Sequence, residues 1–115
     1  MPDVSPRLNL LFVCGRAQWR SPTAERMFAR DPRYASRARG LSPKAARTLQ
    51  RRDVEWADVL FVMEHTQATR LRAAHRDALA GKPLHVLEIP DDYRYMDPEL
   101  VRVLHERIDA HLPSD

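Results

Sequence analysis

The length and composition of the chain are those of one ordinary globular domain. With 115 residues, 43% of them hydrophobic and 30% charged, residues 1–115 are predicted to form a single domain around one core. The longest apolar runs, Leu10 to Cys14 and Val59 to Met63, are far shorter than the ~20 residues of a membrane-spanning helix, so no membrane span is predicted. The N-terminus lacks the order of a secretion signal, and the one cysteine cannot form an internal disulfide. Both features favour a cytoplasmic protein.

The formal charge of +3 is carried mostly by arginine. Between Arg16 and Arg39 seven arginines stand against only Glu25 and Asp31, so this region is predicted to be locally positive. Such a region is either a solvated face or a surface that steers an anionic substrate. Nucleic acid is not an expected partner, because the chain has no recognition motif that combines aromatic and basic residues.

The first strand and the first helix frame a polar loop. The nearly continuous apolar run Leu8 to Val13 is too short for a helix and predicts a strand that is covered on both faces. The loop Cys14 to Arg20 follows. Ser21-Pro22 then predicts a helix start, with serine as the N-cap and proline at the first position. This helix is expected to end near Arg30.

The middle of the chain alternates between apolar runs and helical patterns. A weaker strand is predicted within Tyr34 to Ala38, with a turn at Gly40. The next predicted elements are a short helix from Ser42-Pro43 to the Arg51-Arg52 region, a strand over Ala57 to Met63, a helix over Thr66 to Ala80 ended by Gly81, and a strand over Leu84 to Ile89.

The last helix is predicted from its cap and its apolar spacing. Asp97 is the expected N-cap and Pro98 the first helical residue. The residues predicted to be buried are Leu100, Val101, Leu104 and Ile108.

Strands that alternate with helices predict an α/β fold, with a parallel sheet and helices on both of its faces. Right-handed crossovers place the loops that follow the strands at one edge of such a sheet. Three segments with reactive or charged side chains are therefore expected to meet there: the Cys14 to Arg20 loop, the Glu64-His65 turn and the Asp91-Asp92 loop.

A cysteine, five residues, an arginine and a serine lie between the first strand and the first helix, at Cys14, Arg20 and Ser21. Successive backbone N–H groups that end at a helix N-terminus bind anions, because the unpaired donors and the positive end of the helix dipole face one point. The same field favours the thiolate, which is the nucleophilic form of cysteine. Cys14 is thus a candidate nucleophile toward a bound phosphoryl group.

Arg20 and Ser21 have complementary roles in this interpretation. The planar guanidinium of Arg20 matches two phosphoryl oxygens, and its contact strengthens as charge redistributes in the transition state. Ser21 is able to donate its hydroxyl to the Cys14 sulfur, although capping of the helix explains a serine there equally well.

The segment Val13 to Glu25 resembles the signature of the low molecular weight protein tyrosine phosphatases and the related arsenate reductases. The similarity extends to Trp56 to Met63 and loosely to the last strand and helix, in a chain shorter than usual members. The resemblance implies a three-layer fold with a four-stranded parallel sheet and the phosphate loop between the first strand and the first helix. It also implies a cysteinyl-phosphate intermediate, no metal or other cofactor, and an aspartate general acid after the last strand.

Two positions depart from the family pattern. Ala17 stands where family loops carry an asparagine that braces the loop, and the usual Asp-Pro-aromatic acid motif is here Asp91-Asp92-Tyr93. Asp91 is the chosen general acid because it lies at the mouth of the last strand, with Tyr93 in the place of the family aromatic residue. Asp92 and Asp97 stay open as alternatives.

The expected partner is a phosphotyrosine protein or a small aryl phosphate, with phosphate or another oxyanion bound in the loop. Trp19, Tyr93 and Tyr95 could form an apolar wall against an aromatic ring, or they pack in the core or at its rim. The predicted catalytic residues are Cys14, Arg20 and Asp91, and the predicted substrate-binding residues are Gly15, Arg16, Ala17, Gln18, Trp19, Ser21 and Tyr93.

Two other functions fit the same loop. An arsenate reductase would need an external thiol, because the chain has no second cysteine. A regulatory module that binds phosphate with weak or no turnover is motivated by Ala17. The spacing of the five histidines matches no metal motif, so no metal site is predicted.

Overall fold

The computed structural model describes residues 7–16 and 19–112. Strands and helices alternate along the chain. Their bounds are β1 (Leu8–Cys14), α1 (Arg20–Phe28), β2 (Tyr34–Gly40), α2 (Arg51–Trp56), β3 (Val59–Val62), α3 (His65–Ala74), α4 (Arg76–Leu79), β4 (Leu84–Val86) and α5 (Pro98–Asp109).

The four strands form one parallel sheet in the order β2-β1-β3-β4. Leu10 in the central strand β1 is paired with Ser36 in β2 on one side and with Val59 in β3 on the other. The predicted α/β fold with a four-stranded parallel sheet is thereby confirmed. None of the helices in the described ranges is long and apolar enough to span a bilayer.

Alternate residues of β1 face opposite sides of the sheet, which explains why the whole strand is apolar. Leu10 and Phe12 pack with α1 and α5, whereas Leu11 and Val13 pack with α2, α3 and α4. The apolar face of α5 is formed by Leu100, Leu104 and Ile108, all fully buried as predicted. Val101 differs from the prediction because it is only half-buried.

The prediction of a helix that starts at Ser42-Pro43 is wrong. Residues 41–47 form bends and turns, and the nearby helix α2 begins only at Arg51. The segment folds back on itself, since the Gly40 N–H donates to the carbonyl oxygen of Arg47 and the Leu49 N–H donates to that of Gly40. Backbone donors that a helix would use internally are committed to these tertiary contacts instead.

The helix predicted over Thr66 to Ala80 is interrupted. His75, with φ −133° and ψ 35°, separates α3 from the single turn α4. The interruption allows α4 to pack against α2. Just beyond α4, the Lys82 ammonium donates to the carbonyl oxygens of Val54 and Glu55 at the end of α2, at 2.7 and 2.8 Å.

The last strand is shorter than the predicted Leu84 to Ile89, because β4 ends at Val86. The Leu87 and Ile89 N–H groups still donate to β3 and to Met63 just beyond it, but Glu88 between them has a left-handed φ of 56°. This local turn of the backbone directs the carbonyl group of Ile89 toward α1, where it accepts a hydrogen bond described below.

Candidate active site

The loop between β1 and α1 lies at the edge of the sheet where the strands end. Cys14 is the last residue of β1 and is buried, and α1 begins six residues later at Arg20. The first turn of α1 contains no acidic side chain. The positive end of the helix is therefore not neutralised by the helix itself.

Cys14 and Ser21 are in direct contact, with 2.9 Å between Sγ and Oγ. The prediction that Ser21 caps the helix is wrong, because Trp19 is the N-cap residue and Ser21 lies within the first turn of α1. Pro22 follows in the same turn, where a missing N–H leaves no helix bond unmade. Because the buried Ser21 hydroxyl does not cap the helix, it is available for a hydrogen bond with the sulfur.

Arg20 is buried and held by one of its two terminal nitrogens. Its Nη1 donates to Glu64 Oε2 and to the carbonyl oxygen of Ile89, both at 2.8 Å. Its Nε lies 3.6 Å from Asp91 Oδ1, an ion pair that is longer than a hydrogen bond. Among the described residues, Nε and Nη2 donate no hydrogen bond, so this side of the guanidinium fork is left for a ligand.

Glu64 was not among the site residues predicted from the sequence, although its turn was expected at this edge. It is held by Gln67, a buried residue whose Nε2 donates to Glu64 Oε2 at 3.2 Å. Gln67 Oε1 also accepts from the N–H groups of Met63 and Glu64, at 2.9 and 3.0 Å. A capping-box pattern, Glu64 three residues before Gln67, is the signal that could have indicated a fixed carboxylate.

The start of the loop is anchored by the segment that follows β2. The Leu41 N–H donates to the carbonyl oxygen of Cys14 at 3.0 Å, and the Ser42 N–H donates to that of Gly15 at 2.8 Å. A Cβ atom on Gly40 would lie 2.8 Å from the Arg16 carbonyl carbon and 2.9 Å from the Gly15 oxygen. Glycine is therefore required at position 40 for this close approach.

A pocket of about 150 Å³ opens beside the cysteine. Among the predicted site residues, those that line it are Cys14, Gly15, Arg16, Trp19, Arg20 and Asp91. Ala17 and Gln18 lie outside the described residues. Tyr93 does not line the pocket; it is partly buried and packs against the core on the α5 side.

The three candidate aspartates occupy different environments. Asp91 lines the pocket, and its side chain is 62% exposed at the pocket mouth. Asp92 is exposed and does not line the pocket. Asp97 caps α5, where its carboxylate accepts from the Glu99 N–H at 2.9 Å. Of the three, Asp91 is the one placed beside Cys14.

The histidines are separate from this pocket. His85 and His111 stack with ring centroids 3.9 Å apart, and His65 Nε2 lies 3.1 Å from Glu88 Oε1. Within residues 7–16 and 19–112, no three His, Cys, Asp or Glu side chains are grouped as metal ligands would be.

The chain is similar in structure to several solved phosphatases. One is the tyrosine phosphatase Wzb from Escherichia coli K30 in complex with phosphate, with a TM-score of 0.70 and 18% identity over 89% of this chain and 94% of that one. The chain has the low molecular weight phosphatase fold. A low molecular weight phosphotyrosine phosphatase from Vibrio cholerae shares this fold at a TM-score of 0.64, with 21% identity over 87% of this chain and 89% of that one.

An arginine phosphatase from Drosophila also has the low molecular weight phosphatase fold, with a TM-score of 0.64 and 19% identity over 92% of this chain and 98% of that one. No protein-family model and no curated protein matches the sequence. The likeness to known proteins is therefore one of fold.

Proposed function

We propose that the protein is a phosphomonoester hydrolase that acts through a cysteinyl-phosphate intermediate on Cys14, with phosphotyrosine as its substrate. The observation that carries this proposal is a pocket at the N-terminus of α1 that is lined by the Cys14 thiol, the buried Arg20 and Asp91 together. Phosphate, sulphate and benzylphosphonate are bound in solved phosphatases of this fold, which supports an oxyanion as the ligand of this pocket.

In the first step, the Cys14 thiolate attacks phosphorus, the S–P bond forms and the bond between phosphorus and the leaving oxygen breaks. The Ser21 hydroxyl, 2.9 Å from the sulfur, stabilises the thiolate by donating to it. Arg20 Nε and Nη2 donate to the equatorial phosphoryl oxygens, and Asp91 gives its proton to the leaving oxygen.

In the second step, water attacks the phosphorus of the intermediate. The S–P bond breaks, the Cys14 thiolate leaves, and Asp91 takes the proton of the attacking water. The products are inorganic phosphate and the free enzyme, with Asp91 protonated again. No electrons are exchanged, so a single cysteine is sufficient for turnover.

Phosphotyrosine is favoured by Trp19, an indole 41% exposed on the pocket wall where an aryl ring would stack. Because arginine phosphatases share the fold, phosphoarginine is the substrate to compare with it. The thiolate requires a reducing compartment, which supports action in the cytoplasm.

Steady-state hydrolysis of a chromogenic aryl phosphate in the presence of a metal chelator tests the proposal. We expect turnover by the unmodified protein and none by Cys14→Ser, with both proteins showing the same thermal unfolding midpoint. Turnover retained in Cys14→Ser would refute the cysteine mechanism.

Two further arms separate the alternatives. Stabilisation by phosphate without any turnover would favour the binding module, since a ligand that binds only the folded state raises its stability. Arsenate-dependent oxidation of added glutathione without phosphatase activity would favour the reductase. Faster hydrolysis of phosphoarginine than of phosphotyrosine would keep the mechanism and change the substrate.

A further inference from the structure

A second, larger cavity of about 690 Å³ lies along α1. We call it the α1 groove and define it by the charged and aromatic residues of its lining, which are Arg7, Glu25, Arg26, Tyr34, Arg47 and Tyr95. Its volume is in the range of cavities that bind ligands. No step of the proposed hydrolysis uses it.

The α1 groove has a net positive charge. Its one carboxylate, Glu25, is already occupied, since it accepts from Arg47 at 3.0 and 3.2 Å and from the Ala38 N–H at 3.0 Å. Arg7 and Arg26 are exposed and, among the described residues, form no hydrogen bond or ion pair through their side chains. These two guanidinium groups are thus available to an anionic ligand.

The first turn of α1 contributes to both cavities, with Arg20 in the lining of the phosphate pocket and Pro22 in that of the α1 groove. Pro22, which lines the groove, directly follows Ser21, whose hydroxyl contacts the Cys14 sulfur. Next to Tyr95 on the same wall, the Met96 N–H donates to Thr23 Oγ1 at 2.9 Å, which ties this wall to the first turn of α1. A polypeptide whose phosphorylated side chain occupied the pocket would therefore lie close to the turn of α1 that carries Pro22.

The dimensions of the α1 groove suit a short extended peptide. Its α1 wall runs from Pro22 to Ala29, which is about 10 Å at 1.5 Å per residue. An extended chain covers this distance in about three residues. Aspartate or glutamate side chains a few positions from the phosphorylated residue would then reach Arg26, and those further along the peptide would approach Arg7, which directly precedes β1.

We propose that the α1 groove binds acidic residues of the substrate polypeptide, and that the protein selects phosphotyrosine followed or preceded closely by Asp or Glu. This inference rests on the proposed function for its substrate, but its charge argument concerns only the groove. The two tyrosines in the lining add apolar contact area for the peptide backbone and side-chain stems.

The test compares two phosphotyrosyl peptides of equal length, one with glutamates and one with glutamines within four positions on each side of the phosphotyrosine. Each kcat/KM is divided by the rate of the same protein variant on the chromogenic aryl phosphate, which is too small to reach the groove. We expect about a tenfold preference for the acidic peptide at low salt, falling with ionic strength.

The double variant Arg7→Gln, Arg26→Gln should reduce this preference to less than about twofold. The matched control is the pair Arg70→Gln, Arg72→Gln, an equal change of charge on α3, which lies on the opposite face of the sheet. A preference that persists in the Arg7→Gln, Arg26→Gln variant, or that the Arg70→Gln, Arg72→Gln control lowers as much, would overturn the inference. Equal rates of the unmodified protein on both peptides would overturn it as well.

A second measurement keeps the inference separable from the proposed function. If the unmodified protein does not hydrolyse the aryl phosphate, fluorescence anisotropy of the labelled acidic peptide without phosphate still reports on the groove. Binding that is lost in the Arg7→Gln, Arg26→Gln variant but kept in the Arg70→Gln, Arg72→Gln control supports the inference. Absence of peptide binding, or binding of single-stranded RNA in place of the peptide, overturns it.

Discussion

Two clusters are each formed by arginine and carboxylate side chains, but they differ in which partner is buried. In the first, Asp53 is the buried member, with its side chain 2% exposed. Its Oδ1 accepts from Arg37 at 3.1 Å and pairs with Arg39 at 3.3 Å, and its Oδ2 accepts from the Gln50 N–H at 2.9 Å. Arg37 also stacks on Trp56 at 4.1 Å. Both carboxylate oxygens of this cluster are satisfied.

In the second cluster the buried member is the cation. The Arg20 side chain is 5% exposed, while its partners Glu64 and Asp91 are 44% and 62% exposed. Within residues 7–16 and 19–112, only one terminal nitrogen of Arg20 donates hydrogen bonds, and the pocket opens beside the rest of the fork. A closed cluster contributes to stability alone, whereas a buried arginine with unused donors is suited to a ligand.

The largest effect is expected for Arg20→Lys. Lysine keeps the charge but cannot provide the fork that binds two phosphoryl oxygens, so kcat/KM for the aryl phosphate should fall about 100- to 1000-fold. The matched control is Arg37→Lys, which should lower the free energy of unfolding by about 1 kcal/mol and leave kcat/KM unchanged. Equal losses of activity in the two variants would abolish the distinction between the clusters.

The next effect concerns the general acid. Asp91→Asn should lower kcat about 100-fold for an aryl phosphate whose leaving group is a poor one, and much less for an activated nitrophenol. Asp92→Asn removes the same charge one residue further on and should have little effect on either substrate. Rates of both variants on both substrates decide whether Asp91 or Asp92 is the general acid. The reverse pattern would assign this role to Asp92.

A smaller effect on rate is expected for Glu64→Gln, because Glu64 accepts a hydrogen bond from Arg20 and does not itself line the pocket. We expect kcat to fall about tenfold, the equivalent of about 1.4 kcal/mol of transition-state stabilisation. Asp53→Asn should show the opposite behaviour, with about 3 kcal/mol lost from the free energy of unfolding and normal kcat. Urea unfolding and steady-state kinetics on both variants test whether Glu64→Gln lowers mainly kcat and Asp53→Asn mainly the free energy of unfolding.

The smallest effect lies outside both clusters and appears at acid pH. Burial, followed by repulsion from His111, lowers the pKa of His85 below its ordinary value. In acid the unfolded chain then binds more protons than the folded protein. His85 therefore leaves the free energy of unfolding unchanged above about pH 6.5 and lowers it as the pH falls toward the lower, folded pKa. His85→Phe should make the urea midpoint less dependent on pH in this range. An unchanged pH dependence of the urea midpoint would assign the loss of stability in acid to the two arginine–carboxylate clusters instead.

The sequence was most informative where local patterns and tertiary packing agree. The apolar runs of β1 and β3 can be read directly, because strands buried on both faces need apolar residues throughout. The Asp97 cap and the spacing of Leu100, Leu104 and Ile108 predicted α5. Cys14 and Arg20 lie at the two ends of one loop, because Cys14 ends β1 and Arg20 begins α1.

The features that local sequence patterns did not predict depend on contacts between residues far apart in the sequence. Ser42-Pro43 has the pattern of a helix start, but the Ser42 N–H is needed by the Gly15 carbonyl oxygen, so the segment forms a loop support. The pairing of Glu64 with Arg20 joins residues 44 positions apart, and no local pattern encodes such a distance. Tyr93, which was predicted to bind substrate, is partly buried and packs against the core on the α5 side.

The most direct test of the central claim is the mass of the protein quenched in acid during turnover of the aryl phosphate. The account predicts a fraction of the protein that is heavier by one phosphoryl group, located by peptide mapping on Cys14 and absent from Cys14→Ser. Turnover without a phosphorylated species, or with the phosphoryl group on another residue, would contradict it.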